Sequence, residues 1–184
     1  MKNQAKVLSE KGYLPKHTPQ NLDKTVTDIV KLLLDKSLKI ATAESCTGGM
    51  ISQLITSVPN ASSVFDMGVC TYANNAKMQL LGVKSESLEN HGAVSCEVAL
   101  EMAKGIKTLA KSDIGVSVTG IAGPSGGTEE KPVGTVYCGF SYKDAEFACL
   151  LRLSEMKLSD REKVRRYTCQ CVFEILDELI SHNE

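Results

Sequence analysis

Short apolar runs separated by helix-length amphipathic segments limit most strongly how this chain can fold. Each run needs neighbours in a sheet, and each segment must cover one of its faces. Thr18-Pro19 marks a helix start, and Leu22, Val26, Ile29, Val30, Leu33 and Leu34 trace one face up to Lys36. Lys39-Ile40-Ala41-Thr42 reads as a buried strand end, and Met50, Ile51, Leu54 and Ile55 recur at helical spacing after it. Val58-Pro59-Asn60 breaks the chain, Val64 to Tyr72 reads as a strand, and Asn74 to Leu81 reads as a helix. Ser85 to Asn90 is a short helix closed by His91-Gly92. Ser95 caps the next helix, with Ala99, Met102, Ala103, Ile106 and Leu109 as its apolar stripe. Asp113 to Thr119 is a β-branched strand, and Val133 to Ser141 with Ala145 to Leu153 form a hairpin turning at Lys143-Asp144. A last helix starts at a capping box, Ser159-Asp-Arg-Glu162, and buries Val164, Cys171, Val172, Ile175, Leu176 and Leu179. The pattern predicts a single-domain α/β protein, a three-layer α/β/α sandwich around a mixed sheet, over residues 19–184. Residues 1–18, polar and lysine-rich with Pro15, read as a loosely held extension.

Charge and cysteine usage exclude several function classes. Twenty-one basic and 22 acidic residues leave a formal charge of −1, so nothing draws the whole molecule to nucleic acid and an anionic ligand must be held locally. No apolar run reaches spanning length, and Met1 to Glu10 has no signal-peptide core, so a cytoplasmic protein without a membrane partner is expected. Seven cysteines and three scattered histidines, at 17, 91 and 182, supply no zinc-type spacing. No metal and no cofactor are expected, although His91 can contribute to a pocket.

Four segments carry residue types suited to chemistry. In Ala43-Glu44-Ser45-Cys46-Thr47-Gly48-Gly49 a hydroxyl and a thiol sit side by side where a strand gives way to a helix. Amides at such a point can receive an anion, and two glycines leave room for close approach. Ser45 can be a nucleophile, Cys46 can be the nucleophile instead, or Ser45 or Thr47 can simply cap the helix. Thr71-Tyr72-Ala73-Asn74-Asn75-Ala76-Lys77 offers a phenol, an amide and an amine. At its ordinary pKa only about one lysine in 2,500 is neutral at pH 7, so Lys77 is a base only if burial lowers it, and otherwise it is solvated surface. Thr119-Gly120-Ile121-Ala122-Gly123-Pro124-Ser125-Gly126-Gly127 begins a long glycine-rich loop that runs to Lys131. Its amides can line a ligand, or it can be a flexible connector. Finally, Arg161 and Arg165 are four apart and share a helix face. They suit a phosphate, or they pair with Asp160 and Glu162.

Taken together, AESCTGG, TYANNAK, HGAVS, TGIAGPSGG and EEKPVGTVY, in this order from Ala41 to about Leu179, closely resemble the CinA carboxy-terminal domain family. Its active members are nicotinamide mononucleotide deamidases, which hydrolyse a carboxamide to a carboxylate and ammonia. The resemblance implies Ser45 as nucleophile, with Tyr72 and Lys77 as activating groups in place of a histidine. It implies the backbone of Cys46, Thr47 and Gly48 around the oxyanion. Gly49, Asn74, Thr119, Gly120, Gly123, Gly126, Gly127, Arg161 and Arg165 would form the substrate wall, one arginine holding the phosphate. A small nucleotide as ligand and a homodimer are the expected partners. The chain has Ser159 where the family often has glycine before the Asp-Arg pair, and it reads as a standalone form without the larger amino-terminal domain of two-domain members.

Overall fold

The computed structural model describes residues 11–158 and 160–181. Met1–Glu10 of the expected extension, Ser159 of the expected capping box and His182 lie outside them. Strands β1 (Ile40–Glu44), β2 (Phe65–Cys70), β3 (Ile114–Gly120), β4 (Thr135–Tyr142) and β5 (Ala145–Arg152) form one sheet in the order β2-β1-β3-β4-β5. β1 lies parallel to β2 and β3, and β4 runs antiparallel to β3 and β5. The helices are α1 (Leu22–Asp35), entered through a 3₁₀ turn at Pro19–Asn21, then α2 (Met50–Thr56), α3 (Asn74–Leu81), α4 (Ser85–His91), α5 (Cys96–Ala110) and α6 (Arg161–Ser181). This is the expected mixed sheet with helices on both faces.

The period-two alternation of β1 explains how the layers divide. Ala41 and Ala43 pack with Val98, Met102 and Ile106 of α5 and with Leu81 and Val83. Ile40 joins the larger core of Leu22, Ile29 and Leu33 from α1, Ile51 and Ile55 from α2, and Phe173 and Leu176 from α6. The α5 layer lies very close to the sheet. A Cβ on Gly115 would run into the Ala103 carbonyl and one on Gly139 into the Ala99 carbonyl. Ser117 Oγ uses the same closeness to donate to the Ala99 carbonyl at 2.5 Å.

Element ends shift where local bonds outcompete pattern. β2 stops at Cys70 rather than Tyr72, although the Thr71 N–H still donates to the Glu44 carbonyl at 2.8 Å. Ser95 caps α5 as expected, accepting from the Val98 N–H at 3.4 Å. At the start of α6 the Asp160 carboxylate accepts from the N–H groups of Glu162 and Lys163 at 2.7 and 3.2 Å. The extension differs from expectation from Tyr13 onward. Tyr13 is buried, bridges to Leu151, and donates its phenol proton to Glu174 at 2.9 Å. Lys16 and His17 give Glu174 their backbone N–H groups at 2.8 and 2.9 Å, so this segment is fastened to α6. Among the described residues, no helix is long and apolar enough to cross a membrane.

Candidate active site

β1 connects to β2 on one side while β3 pairs on its other side. The strand order therefore reverses between β1 and β3, and in open α/β sheets the carboxyl ends at such a point form the natural binding crevice. Ser45 stands there. Its N–H continues the ladder by donating to the Val118 carbonyl at 3.0 Å, and the chain then folds through Gly48 (φ 58°) and Gly49 (φ 92°) before α2 begins. Only glycine adopts two such left-handed steps in succession without strain.

The alternation that turns Ala43 toward α5 turns Glu44 toward α2. The fully buried Glu44 carboxylate accepts from the N–H groups of Gly49, Ile51 and Ser52 at 3.0, 3.0 and 2.8 Å, and from the Ser52 hydroxyl at 2.6 Å. The first amides of α2 are thus already satisfied, and Glu44 takes the capping role expected of Ser45 or Thr47. Gly68 in β2 completes the arrangement, because a Cβ there would strike the Ser52 and Thr42 hydroxyls. Sequence reasoning gave neither Glu44 nor Gly68 a role. The only available signal was an acid ending an otherwise apolar strand.

Lys77 enters from α3. Its side chain is 1% exposed, and Nζ lies 2.8 Å from the Thr71 carbonyl, 3.3 Å from the Tyr72 carbonyl and 3.4 Å from Ser45 Oγ. Burial pushes its pKa below that of an ordinary lysine, and the neighbouring Cys46 opposes this only in part. A neutral amine carries two N–H bonds and one lone pair. With the two carbonyls taking the protons, the lone pair is left for the serine hydroxyl. That geometry suits general-base activation of Ser45.

Cys46 is a poor nucleophile by contrast. It is buried, and burial foremost, with Glu44 adding to it, pushes the thiol up to about 12 against the opposing pull of Arg161 and Arg165. Burial and a raised thiol pKa thus favour Ser45 over Cys46 as the nucleophile. Among the three backbone groups expected around an oxyanion, the Gly48 N–H is already given to the Ser45 carbonyl at 3.1 Å. The N–H groups of Cys46 and Thr47 are left for that role.

The wall differs in detail from the expectation. The Tyr72 ring is 66% exposed and its oxygen accepts from Arg161 at 3.2 Å, so its backbone carbonyl is the part that touches Lys77. Arg161 also donates to the Gly123 carbonyl at 2.9 Å, joining the glycine-rich loop to the mouth of the site. Arg165 donates from Nε and Nη2 to the Thr47 carbonyl at 3.1 and 2.6 Å, and from Nη1 to Glu162 at 3.1 Å. Thr119 is buried and gives its hydroxyl proton to the Ala93 carbonyl at 2.7 Å. Gly120, Gly123 and Gly127 owe their lack of a side chain to close packing: a Cβ would meet Val136 and Thr135, Val133, and the Pro132-Val133 backbone respectively. A Cβ built on Gly126 (φ 88°) would meet only Ile121, at 3.9 Å, among the described residues beyond its chain neighbours, and Asn74 is exposed at the first turn of α3. Lys131, which carried no expectation of its own, donates to the carbonyls of His91 and Val94 at 3.0 and 2.8 Å and ties the loop to the segment before α5. The His91 ring faces Glu97 at 3.8 Å.

The sequence profile of the CinA C-terminal domain matches residues 22–180. The chain belongs to the CinA family. It is 49% identical over 148 residues to a competence-damage inducible protein of Caldanaerobacter subterraneus subsp. tengcongensis, covering 80% of this chain and 35% of that protein. A Clostridium perfringens protein of the same description is 50% identical over 157 residues, with 83% and 36% covered. The chain thus spans about a third of the length of these curated relatives. Among solved structures, a CinA superfamily protein of Klebsiella pneumoniae superposes with a TM-score of 0.83 at 32% identity, covering 89% of this chain and 99% of that one. A competence/damage inducible protein of Agrobacterium tumefaciens gives 0.82 at 36% identity, with 89% and 98% covered.

A groove of about 710 Å³ runs between α3 and α5 past Leu80, Leu100 and Leu109, and on its wall the Ser87 hydroxyl donates to the Glu101 carboxylate at 2.8 Å. Among the described residues no group of His, Cys, Asp and Glu is arranged to hold a metal ion.

Proposed function

We propose that this CinA-family chain is a nicotinamide-nucleotide amidohydrolase, converting nicotinamide mononucleotide to nicotinate mononucleotide and ammonia. The observation that carries the reading is the buried Lys77 amine 3.4 Å from Ser45 Oγ, held by two carbonyls and no acid. Neutral Lys77 takes the Ser45 proton as Oγ attacks the carboxamide carbon. The N–H groups of Cys46 and Thr47 receive the charge that builds on the carbonyl oxygen, a contribution in which one lost donor typically costs about 3 to 4 kcal/mol. Protonated Lys77 returns its proton to the departing nitrogen, ammonia leaves, and the serine ester is cleaved by water that Lys77 deprotonates in turn.

The outer wall supports a nucleotide as substrate. Arg161 spends one N–H on Gly123 and one on the Tyr72 oxygen, and its remaining donors suit the 5′-phosphate. The Tyr72 oxygen accepts from Arg161, which leaves the phenol proton free to turn toward the bound substrate. No cofactor or metal enters any step. The experiment is ammonia release from a panel of pyridine nucleotides by wild type and Ser45→Ala. Release from the mononucleotide that disappears in the variant is the expected result. Saturable binding without release would instead make the chain a silent nucleotide-binding module.

A further inference from the structure

Arg165 comes from the opposite end of the sequence to the nucleophile loop, yet two of its N–H groups converge on one atom of that loop. Nη2 lies 2.6 Å and Nε 3.1 Å from the Thr47 carbonyl oxygen, which also accepts from the Met50 N–H at 3.2 Å. Three donors on one carbonyl are more than helix capping needs. Nη1 is occupied as well, 3.1 Å from Glu162. The Arg165 side chain is only 25% exposed, and the nearest atom to a Cβ built on Gly48 is its Nη2 at 3.8 Å. This differs from Arg161, whose partners are at the mouth of the site.

The Thr47 carbonyl and the Gly48 N–H belong to one planar trans peptide and point opposite ways. A donor on the first therefore aims and polarises the second. The Gly48 N–H donates to the Ser45 carbonyl at 3.1 Å. That carbonyl shares its peptide with the Cys46 N–H, which is again directed oppositely. Hydrogen bonds in series polarise one another cooperatively in a water-poor setting. We propose that Arg165 is a positioning residue for the nucleophile loop, acting through the Thr47–Gly48 and Ser45–Cys46 peptides to aim and strengthen the Cys46 N–H as oxyanion donor, rather than an anchor for the substrate phosphate. The proposal rests on Ser45 being the nucleophile, and it does not require that nicotinamide mononucleotide be the substrate.

Two readouts separate this role from a phosphate contact and from a merely structural one. Wild type, Arg165→Ala and Arg165→Lys are compared on nicotinamide mononucleotide and on its dephosphorylated nucleoside. In parallel, the rate at which Ser45 Oγ displaces fluoride from a small alkyl fluorophosphonate is followed by mass spectrometry. A misaimed donor is expected to lower kcat on both substrates, and the phosphonylation rate, by a common factor of about 10 to 100. KM should change little, and the lysine variant, which keeps a charged donor, should recover part of the loss. Arg165→Ala with added guanidinium is expected to regain phosphonylation if the folded loop is intact. A rise in KM confined to the phosphorylated substrate, with phosphonylation unchanged, would overturn the proposal. So would equal losses in the alanine and lysine variants that guanidinium does not restore. If the mononucleotide is not turned over by wild type but phosphonylation still follows the Arg165 series, the substrate assignment fails and the positioning role stands.

Discussion

Two buried ionisable side chains, Lys77 on α3 and Glu174 on α6, are treated in opposite ways. Glu174 is surrounded by donors: the Tyr13 phenol at 2.9 Å, the N–H groups of Lys16 and His17 at 2.8 and 2.9 Å, the His17 ring nitrogen at 2.9 Å and the Gln170 amide at 3.0 Å. Lys77 has two carbonyls and a hydroxyl, none of them charged. A carboxylate surrounded by donors holds chain segments together. An amine buried without an anion is held toward its neutral form and is ready to take a proton. The difference separates a fastening from a reactive group more sharply than burial, which the two share.

The largest expected effect tests the reactive side. Lys77→Met keeps the volume and removes the base, so amidase turnover should fall by about 10²- to 10⁴-fold, roughly 3 to 5.5 kcal/mol of barrier. Steady-state ammonia release measures it, and near-normal turnover would dissolve the contrast. On the fastening side, Glu174→Ala removes the acceptor shared by several donors and leaves the Tyr13 phenol and the Gln170 amide only longer contacts, 3.4 Å each, to Glu178 and Thr25. It should lower unfolding free energy by about 2 to 4 kcal/mol in urea titration while leaving kcat close to wild type. Tyr13→Phe removes one donor from the same cluster and should cost about 1.5 kcal/mol by the same measurement.

The smallest effect is one of sign against pH. Lys77 has a lowered pKa in the folded state, so between that value and its ordinary one the unfolded chain binds more protons. Stability should rise with pH across that window, and the rise should be missing in Lys77→Met. Activity should share the lower bound, with kcat/KM falling as pH drops through the lowered Lys77 pKa. A profile flat through that region would mean that the amine is not the base.

The same contrast explains what could be read from sequence. The junction at Ser45 was legible because a strand, a tight glycine turn and a helix follow one another there, but the local sequence did not choose among Ser45, Cys46 and a capping role. The helices and the β4–β5 hairpin were legible because periodicity and turn chemistry are local. Whether Lys77 was a base or solvated surface was not legible, since the answer lies in the Thr71 and Tyr72 carbonyls and in a serine 32 residues away. Glu44 was hidden because its role exists only once the chain doubles back to bring the Gly49, Ile51 and Ser52 amides over β1. The resemblance put Thr119 in the substrate wall, and sequence could not show that its hydroxyl donates to the Ala93 carbonyl, on a different connection. Tyr13 was misjudged for a related reason: a polar flank conceals one aromatic residue whose neighbours come from the far end of the chain.

That Tyr13 segment has a further consequence. β5 is the last strand in the sheet order, and the Tyr13 N–H and carbonyl bond to the Leu150 carbonyl and the Arg152 N–H at 2.8 and 2.9 Å. The chain thereby closes part of its own exposed strand edge, where unpaired backbone groups would otherwise template the addition of a strand from another molecule. A polypeptide trimmed past Tyr13 would keep Ser45 and Lys77 but leave the Leu150 carbonyl and the Arg152 N–H unpaired at the sheet edge, open to a strand from elsewhere.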